Sequence, residues 1–362
     1  VGDNVFESAP ADYDGDGDID LAVSNTNSHN ISYLQNTGNG AFGSAVNTSV
    51  DAAIVAITSG DIDGDGDLDL IYTLPNGISR VVTSLNNGAG IFSSQTPYLV
   101  GSDPFSVVMG DWDGDGDLDL ATGSYTSNLV SVLLNEDPTI VTTTANAGVG
   151  SLRYAIEYAN TQTGTTTTIT FNIPGSGPHT ITPATALPDI IQPVVINALT
   201  QSGATCGTLQ VALRGTNAGA AYGLRIVTTG SRSTIRGLAI GGFSQGGIEV
   251  FGSSYNTIEC SYIGTNITGT TTASNGGNGI SIYNNARGNI IRNNIISGNV
   301  QSGVNIGSQW YLASGLGVPA TDSTIIEGNY IGTDARSTKS LGNGAHGIYA
   351  GGSYTVIRNN VL

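Results

Sequence analysis

The chain has 362 residues, a formal net charge of −17 and 39% apolar side chains, enough for one or more folded cores. The charge is lopsided: residues 1–138 carry 21 acidic side chains against one basic residue, Arg80, whereas residues 139–362 carry 7 acidic against 10 basic. Such an acidic first part argues against nucleic acid and anionic membrane as partners. No apolar run approaches the roughly 20 residues that a membrane helix needs.

Three segments about fifty residues apart repeat one pattern: Asp12-Tyr-Asp-Gly-Asp-Gly-Asp-Ile-Asp20, Asp61-Ile-Asp-Gly-Asp-Gly-Asp-Leu-Asp69 and Asp111-Trp-Asp-Gly-Asp-Gly-Asp-Leu-Asp119. Five carboxylates in nine residues repel one another unless a hard cation sits among them. Oxygen ligands at loop positions 1, 3, 5 and 9, a carbonyl at 7 and a glycine at 6 describe a calcium loop of EF-hand type. Those positions are Asp12, Asp14, Asp16 and Asp20; Asp61, Asp63, Asp65 and Asp69; and Asp111, Asp113, Asp115 and Asp119. Asp18, Asp67 and Asp117 stand at position 7 and are expected to coordinate through the backbone, and Gly17, Gly66 and Gly116 make the turn. The sequence predicts about three calcium ions, acting as staples that hold turns rather than as reagents. No Glu stands at position 12 and no helix follows; each loop runs into a short apolar strand instead. Tyr13, Ile62 and Trp112 share position 2 and are expected to pack.

Apolar strands flank each loop, for example Ala53 to Ile57 before the second and Val81 to Leu85 after it. Two repeats close with a glycine turn and a phenylalanine, Asn36 to Phe42 and Asn86 to Phe92. Residues 1 to about 137 resemble the FG-GAP or VCBS-type repeat, which implies one four-stranded propeller blade per unit with calcium in the Asp loop. The third repeat lacks the closing Gly-Phe element. Three blades fall short of the four to eight of a closed propeller, and the chain begins at Val1 with neither Met nor signal peptide. The expectation is a piece of a longer secreted protein.

Residues 138–150 are expected to be a linker, and a β-helix domain is expected over 151–362. Gly150 to Asn160 places Leu152, Ala155, Ile156 and Ala159 on one helical face with Ser151 as N-cap, a helix suited to cover the open end of a solenoid. Beyond it one motif recurs five times, at Thr234 to Ile240, Thr257 to Ile263, Ile290 to Ile296, Ile325 to Ile331 and Val356 to Leu362. A second falls between its copies: Gly223-Leu-Arg-Ile, Gly247-Ile-Glu-Val, Gly279-Ile-Ser-Ile, Gly303-Val-Asn-Ile and Gly347-Ile-Tyr-Ala. Short β-branched strands between Gly and Asn turns predict a right-handed parallel β-helix, one repeat per coil. In register, Arg236, Glu259, Arg292, Glu327 and Arg358 form a column of alternating charge about 4.8 Å apart. The Asn pairs 293/294 and 359/360 read as turn residues stacked in ladders. Cys206 and Cys260 are either one disulfide or two small buried side chains.

Gly150 to Asn160, with Ile169 to Asn172, Leu187 to Ile190 and Val195 to Gln201, resembles the CSLREA-type opening of bacterial surface β-helix proteins, although Gly150 stands in place of the Cys. The resemblance implies an extracellular or cell-surface, adhesin-like protein. Two long excursions, 263–279 and 331–347, are near copies 68 residues apart, and a third carries Trp310 and Tyr311, candidates for stacking on a sugar. The acids of this part are Glu157, Asp189, Glu249, Glu259, Asp322, Glu327 and Asp334. No two share a strand at short spacing, and Asp322 with Asp334 and His346 is the one constellation open to catalysis. The sequence therefore predicts an all-β, calcium-stabilised, non-catalytic adhesion or carbohydrate- or protein-binding protein. A β-helix polysaccharide lyase or hydrolase and a structural stalk are the alternatives.

Overall fold

The computed structural model describes residues 1–113, 116–307, 323–351 and 354–362, and it divides into two compact units, Val1–Glu136 and Asp137–Leu362. In the first unit β1 (Val5–Ala11), β2 (Asp20–Asn25), β3 (Asn30–Leu34) and β4 (Val46–Ser49) form an antiparallel sheet in chain order. The sheet repeats as β5 (Ala56–Gly60), β6 (Asp69–Leu74), β7 (Arg80–Leu85) and β8 (Ser94–Leu99). A three-stranded version follows, β9 (Pro104–Gly110), β10 (Asp119–Ser124) and β11 (Leu129–Leu133). Each acidic segment is the connection between the first two strands of its sheet. The register closes it with the pairs Ala11–Asp20, Gly60–Asp69 and Gly110–Asp119.

The closing Gly-Phe element of the second repeat is what joins that sheet to the first. Phe92 packs edge-on against Tyr13 and Tyr33, at centroid distances of 5.3 and 6.0 Å. Gly90 approaches so closely that a Cβ there would lie 2.4 Å from the Tyr33 ring. Asn86 Nδ2 donates to the Tyr13 carbonyl at 2.7 Å. The same contact recurs one sheet later, where Asn135 Nδ2 donates to the Ile62 carbonyl at 2.7 Å. The third repeat brings no phenylalanine, and between Ile62 and Thr83 of the second sheet and Leu120 and Leu134 of the third lies a cavity of about 50 Å³. Ile62 and Thr83 hold the places that Tyr13 and Tyr33 hold one repeat earlier, so the cavity is where a third Phe would sit. Tyr13 and Ile62 are buried as expected, but Trp112 is 47% exposed.

Among the described residues, the second unit is a parallel β-helix of three sheets, with eight, six and five strands. Both recurring motifs become strands: copies of the first span two sheets, as Thr234–Arg236 and Leu238–Gly241 do, and the second gives Tyr222–Val227 and its four counterparts in the third. Inward columns such as Ile196, Ile235, Ile258, Ile291 and Ile326 pair coil on coil and are fully buried. Glycine leads each second-motif strand because the coils approach too closely for a side chain; a Cβ on Gly247 would lie 2.5 Å from the Gly279 carbonyl oxygen. Residues 138–150 correct the expected linker: Ile140–Val141 is a strand pairing in parallel with Thr167–Phe171, and Val141 is fully buried in the β-helix core. An apolar β-branched pair is better placed in a sheet than in solvent.

The helix α1 (Leu152–Thr161) forms as the periodicity predicts. Ser151 accepts from the Tyr154 amide at 3.2 Å, and Leu152, Ala155, Ile156 and Ala159 join the same core. Cys206 and Cys260 form a disulfide, 54 residues apart in sequence. No helix among the described residues is long and apolar enough to cross a membrane.

Candidate functional sites

The three acidic loops bring the same three of their aspartates together. Asp12, Asp14 and Asp20 bring carboxylate oxygens within 4.8 Å of one another, as do Asp61, Asp63 and Asp69, and Asp111, Asp113 and Asp119. Positions 1, 3 and 9 of the pattern thus converge. The position 5 and 7 carboxylates of the first two loops, Asp16, Asp18, Asp65 and Asp67, and Asp117 of the third, stand outside these groups. Asp115 lies outside the described residues.

Backbone amides shape the first two loops around their first aspartates. Gly15 and Gly17 donate to the two oxygens of Asp12 at 2.8 and 2.9 Å, and Gly64 and Gly66 donate to Asp61 at 2.8 and 3.0 Å. Gly17 and Gly66 sit at φ of 92° and 96°, a region that L side chains avoid. The last aspartate is the anchor. Asp20, Asp69 and Asp119 are fully buried, and each accepts two backbone N–H groups, one from position 2 and one from the asparagine after the third strand. For Asp69 these are Ile62 at 3.0 Å and Asn86 at 2.8 Å; for Asp119 they are Trp112 at 2.9 Å and Asn135 at 2.7 Å. Asp20 also accepts from the Tyr33 hydroxyl at 3.0 Å.

Burial raises the Asp69 carboxyl above the usual carboxylate range, against the two amides that lower it, and the neighbouring Asp63 and Asp65 raise it further. Asp63 is raised as well, by desolvation first and then by Asp65 and Asp61. These carboxylates bear the repulsion that a cation among them would relieve. The donor set is all oxygen, which fits calcium or magnesium rather than a softer metal.

In the β-helix the charge column stacks as its register requires. Arg236 pairs with Glu259, Glu259 with Arg292, Arg292 with Glu327 and Glu327 with Arg358 along the sheet. Ion pairs close at 3.6 Å for Arg236–Glu259, 2.7 Å for Arg292–Glu259 and 2.6 Å for Arg358–Glu327. Partly exposed pairs of this kind contribute about 0–1 kcal/mol each to stability. Asp334 is committed to its own turn, accepting from the Thr338 amide at 2.7 Å and hydroxyl at 2.8 Å, while His346 packs beside Tyr349. Asp322, Trp310 and Tyr311 lie outside the described residues.

Asp189 and Glu249 make a cluster that spacing along the chain did not show. Arg225 Nη1 meets Asp189 at 2.8 Å, and its Nε meets the buried Glu249 at 2.5 Å. The signal was present, because Arg225 and Glu249 occupy the same position of the second motif and pair in adjacent strands. Asp189 comes from a loop outside that motif.

Fold and loops together define a class: an all-β protein joining acidic-loop repeat sheets to a parallel β-helix. Residues 12–72 and 61–122 each match the family model of the FG-GAP-like repeat. No curated protein matches the chain. Among solved structures it is similar to the alginate lyase from Paenibacillus sp. str. FPU-7, with 18% identity over 57% of this chain and 73% of that one and a TM-score of 0.36. It is also similar to the A-module of the Azotobacter vinelandii mannuronan C-5 epimerase AlgE4, with 19% identity over 46% of this chain and 47% of that one and a TM-score of 0.25. Likeness at that level carries neither enzyme's chemistry to this chain.

Proposed function

We propose that this chain is an extracellular or cell-surface binding protein whose repeat unit is stapled by calcium and whose β-helix engages a polysaccharide or a surface protein without turning it over. The observation that carries the reading is the threefold recurrence of one carboxylate triad, each anchored by the same buried aspartate. FG-GAP-like repeats are typical of extracellular and surface proteins, which supports the location. Asp12, Asp14 and Asp20 and their counterparts would hold the ion, with Asp16, Asp65 and Asp115 drawn in from the loop and the position 7 residues, Asp18, Asp67 and Asp117, contributing carbonyls. The bound ion would neutralise the loop and fix its turn. The finer likenesses, to VCBS-type repeats and to the CSLREA-type opening, belong to the same reading and rest on the motifs quoted above.

Calorimetric titration of calcium into chelator-stripped protein tests it. The expected result is about three sites with a raised unfolding temperature for the repeat unit. Absence of heat and of any thermal shift would remove the metal from the account. The enzymatic alternative is favoured by one feature, the Asp189–Arg225–Glu249 cluster. Release of shortened chains from polysaccharide, lost on Glu249→Gln, would move the assignment to it.

A further inference from the structure

Two cavities, of about 370 and 340 Å³, lie side by side over the sheet that contains Tyr222–Val227, Gly246–Phe251 and Ile280–Tyr283, and Tyr222 and Gln245 belong to the walls of both. Leu224, Ile226, Ile248 and Val250 of these strands point into the core, so the alternating Arg225, Glu249 and Ser281 face outward. Successive coils supply Tyr222, then Gln245 and Glu249, then Asn278 with Tyr283. The cavities therefore form a groove that crosses the strands and advances about 4.8 Å per coil.

The chemistry of the walls selects the ligand. Arg225 is the one cation lining either cavity, and both Asp189 and Glu249 are already bonded to it. With Arg225 at +1 and the two carboxylates at −2, the lining carries −1. An anionic ligand would find no uncommitted cation there. Among the described residues, the second cavity is lined by amides, hydroxyls and glycine backbone without a charged side chain. Its polar groups are fixed in place before any ligand arrives: Asn278 Nδ2 donates to Ser281 Oγ and to the Tyr283 hydroxyl at 3.2 Å each, and Tyr283 donates to Ser281 Oγ at 3.1 Å. Glu249 lies beside the Tyr222 hydroxyl. Burial and the nearby Glu249 raise both phenols, so they remain neutral. Fixed neutral donors and acceptors beside two aromatic rings suit sugar hydroxyls and the apolar face of a pyranose.

We propose that this groove binds a neutral polysaccharide lying along the coil axis, one sugar residue meeting each coil, with Tyr222 and Tyr283 as ring platforms and Gln245, Asn278 and Glu249 as hydroxyl partners. The assignment rests on the binding reading given above and names its ligand.

The test is calorimetric titration of the full, calcium-loaded chain with cellohexaose, laminarihexaose and xylohexaose, and with an oligogalacturonate as the charged counterpart. One neutral oligosaccharide is expected to bind one to one, and Tyr222→Ala and Tyr283→Ala are each expected to weaken it about tenfold or more. Gln245→Ala alters an exposed side chain and keeps the test decisive should a tyrosine variant fail to fold. The proposal is overturned if no neutral hexasaccharide binds at millimolar concentration, if the variants bind as the parent does, or if the oligogalacturonate binds more tightly. Mass spectrometry of the recovered ligand separates the two readings: shortened products would keep the groove and overturn the non-catalytic assignment. Loss of calcium binding alone would touch only the repeat unit.

Discussion

Asp69 shows how one residue type serves two purposes within one loop. Its neighbours Asp61 and Asp63 lie toward solvent, whereas Asp69 is fully buried and ties two backbone amides to the start of its strand. Removing the carboxylate leaves both donors without an acceptor in a dry place, a loss of about 2–4 kcal/mol. Asp69→Ala should therefore destabilise the repeat unit by that amount in urea unfolding even under chelator, where a pure ligand role would leave stability unchanged. Tyr13 supplies a pH dependence. Burial first, and then the charge of Asp20, push its phenol up to about 12, against the lowering contact of Ser59. A folded-state value above the unfolded value of about 10 means stability is complete below pH 10 and is lost as pH rises toward 12. Tyr13→Phe should flatten that alkaline limb, read from unfolding midpoints across the window.

At the scale of elements, two devices replace the tight turns and large residues that usually hold a sheet. In the β-helix, buried asparagines stack from coil to coil: Asn294 Nδ2 donates to Asn329 Oδ1 at 3.0 Å, and Asn329 Nδ2 donates to Asn360 Oδ1 and to the Ile291 carbonyl at 2.9 Å each. A parallel set runs through Asn275, Asn299 and Asn343. Asn329→Ala should cost about 2–4 kcal/mol, since it strands a carbonyl and a neighbouring amide in the core. Asn293, at φ 56° in the adjoining turn, should accept glycine with little change. Both substitutions are read by denaturant unfolding. The pairs 293/294 and 359/360 were legible as turn and ladder residues. Asn329 follows Gly328, so no Asn pair marks it; only its place in the recurring motif, level with Asn294 and Asn360, assigns it to the ladder column. The first unit uses its closing phenylalanine instead. Phe92→Ala should cost about 3–5 kcal/mol by opening the aromatic contact with Tyr13 and Tyr33. Leu134→Phe is directed at the cavity beside Ile62 and should recover stability if the ring reaches it.

Two units with separate cores, one cross-linked by a disulfide and the other carrying the proposed calcium loops, should respond to different reagents. The Cys206–Cys260 disulfide closes a 54-residue span of the β-helix, worth about 4 kcal/mol by loop-closure entropy. Reductant should lower the unfolding temperature of the β-helix alone, and chelator that of the repeat unit alone. Calorimetric scans in each reagent check this, and movement of both transitions by either reagent would show that the units unfold together.

The sequence by itself determined the repeats, the threefold acidic-loop pattern, the capping helix and the register of the charge column, because each is written in the spacing of residues along one strand or loop. The tertiary structure decided what depends on distance across coils and sheets. It made Cys206 and Cys260 a disulfide, drew Ile140–Val141 into a sheet, and separated the convergent Asp12, Asp14 and Asp20 from Asp16 and Asp18. It also joined Asp189 to Glu249 through Arg225, residues whose loops and strands meet only once the chain has wound through successive coils. Local periodicity fixes which way a side chain points. Which partner it meets is settled by how the coils stack.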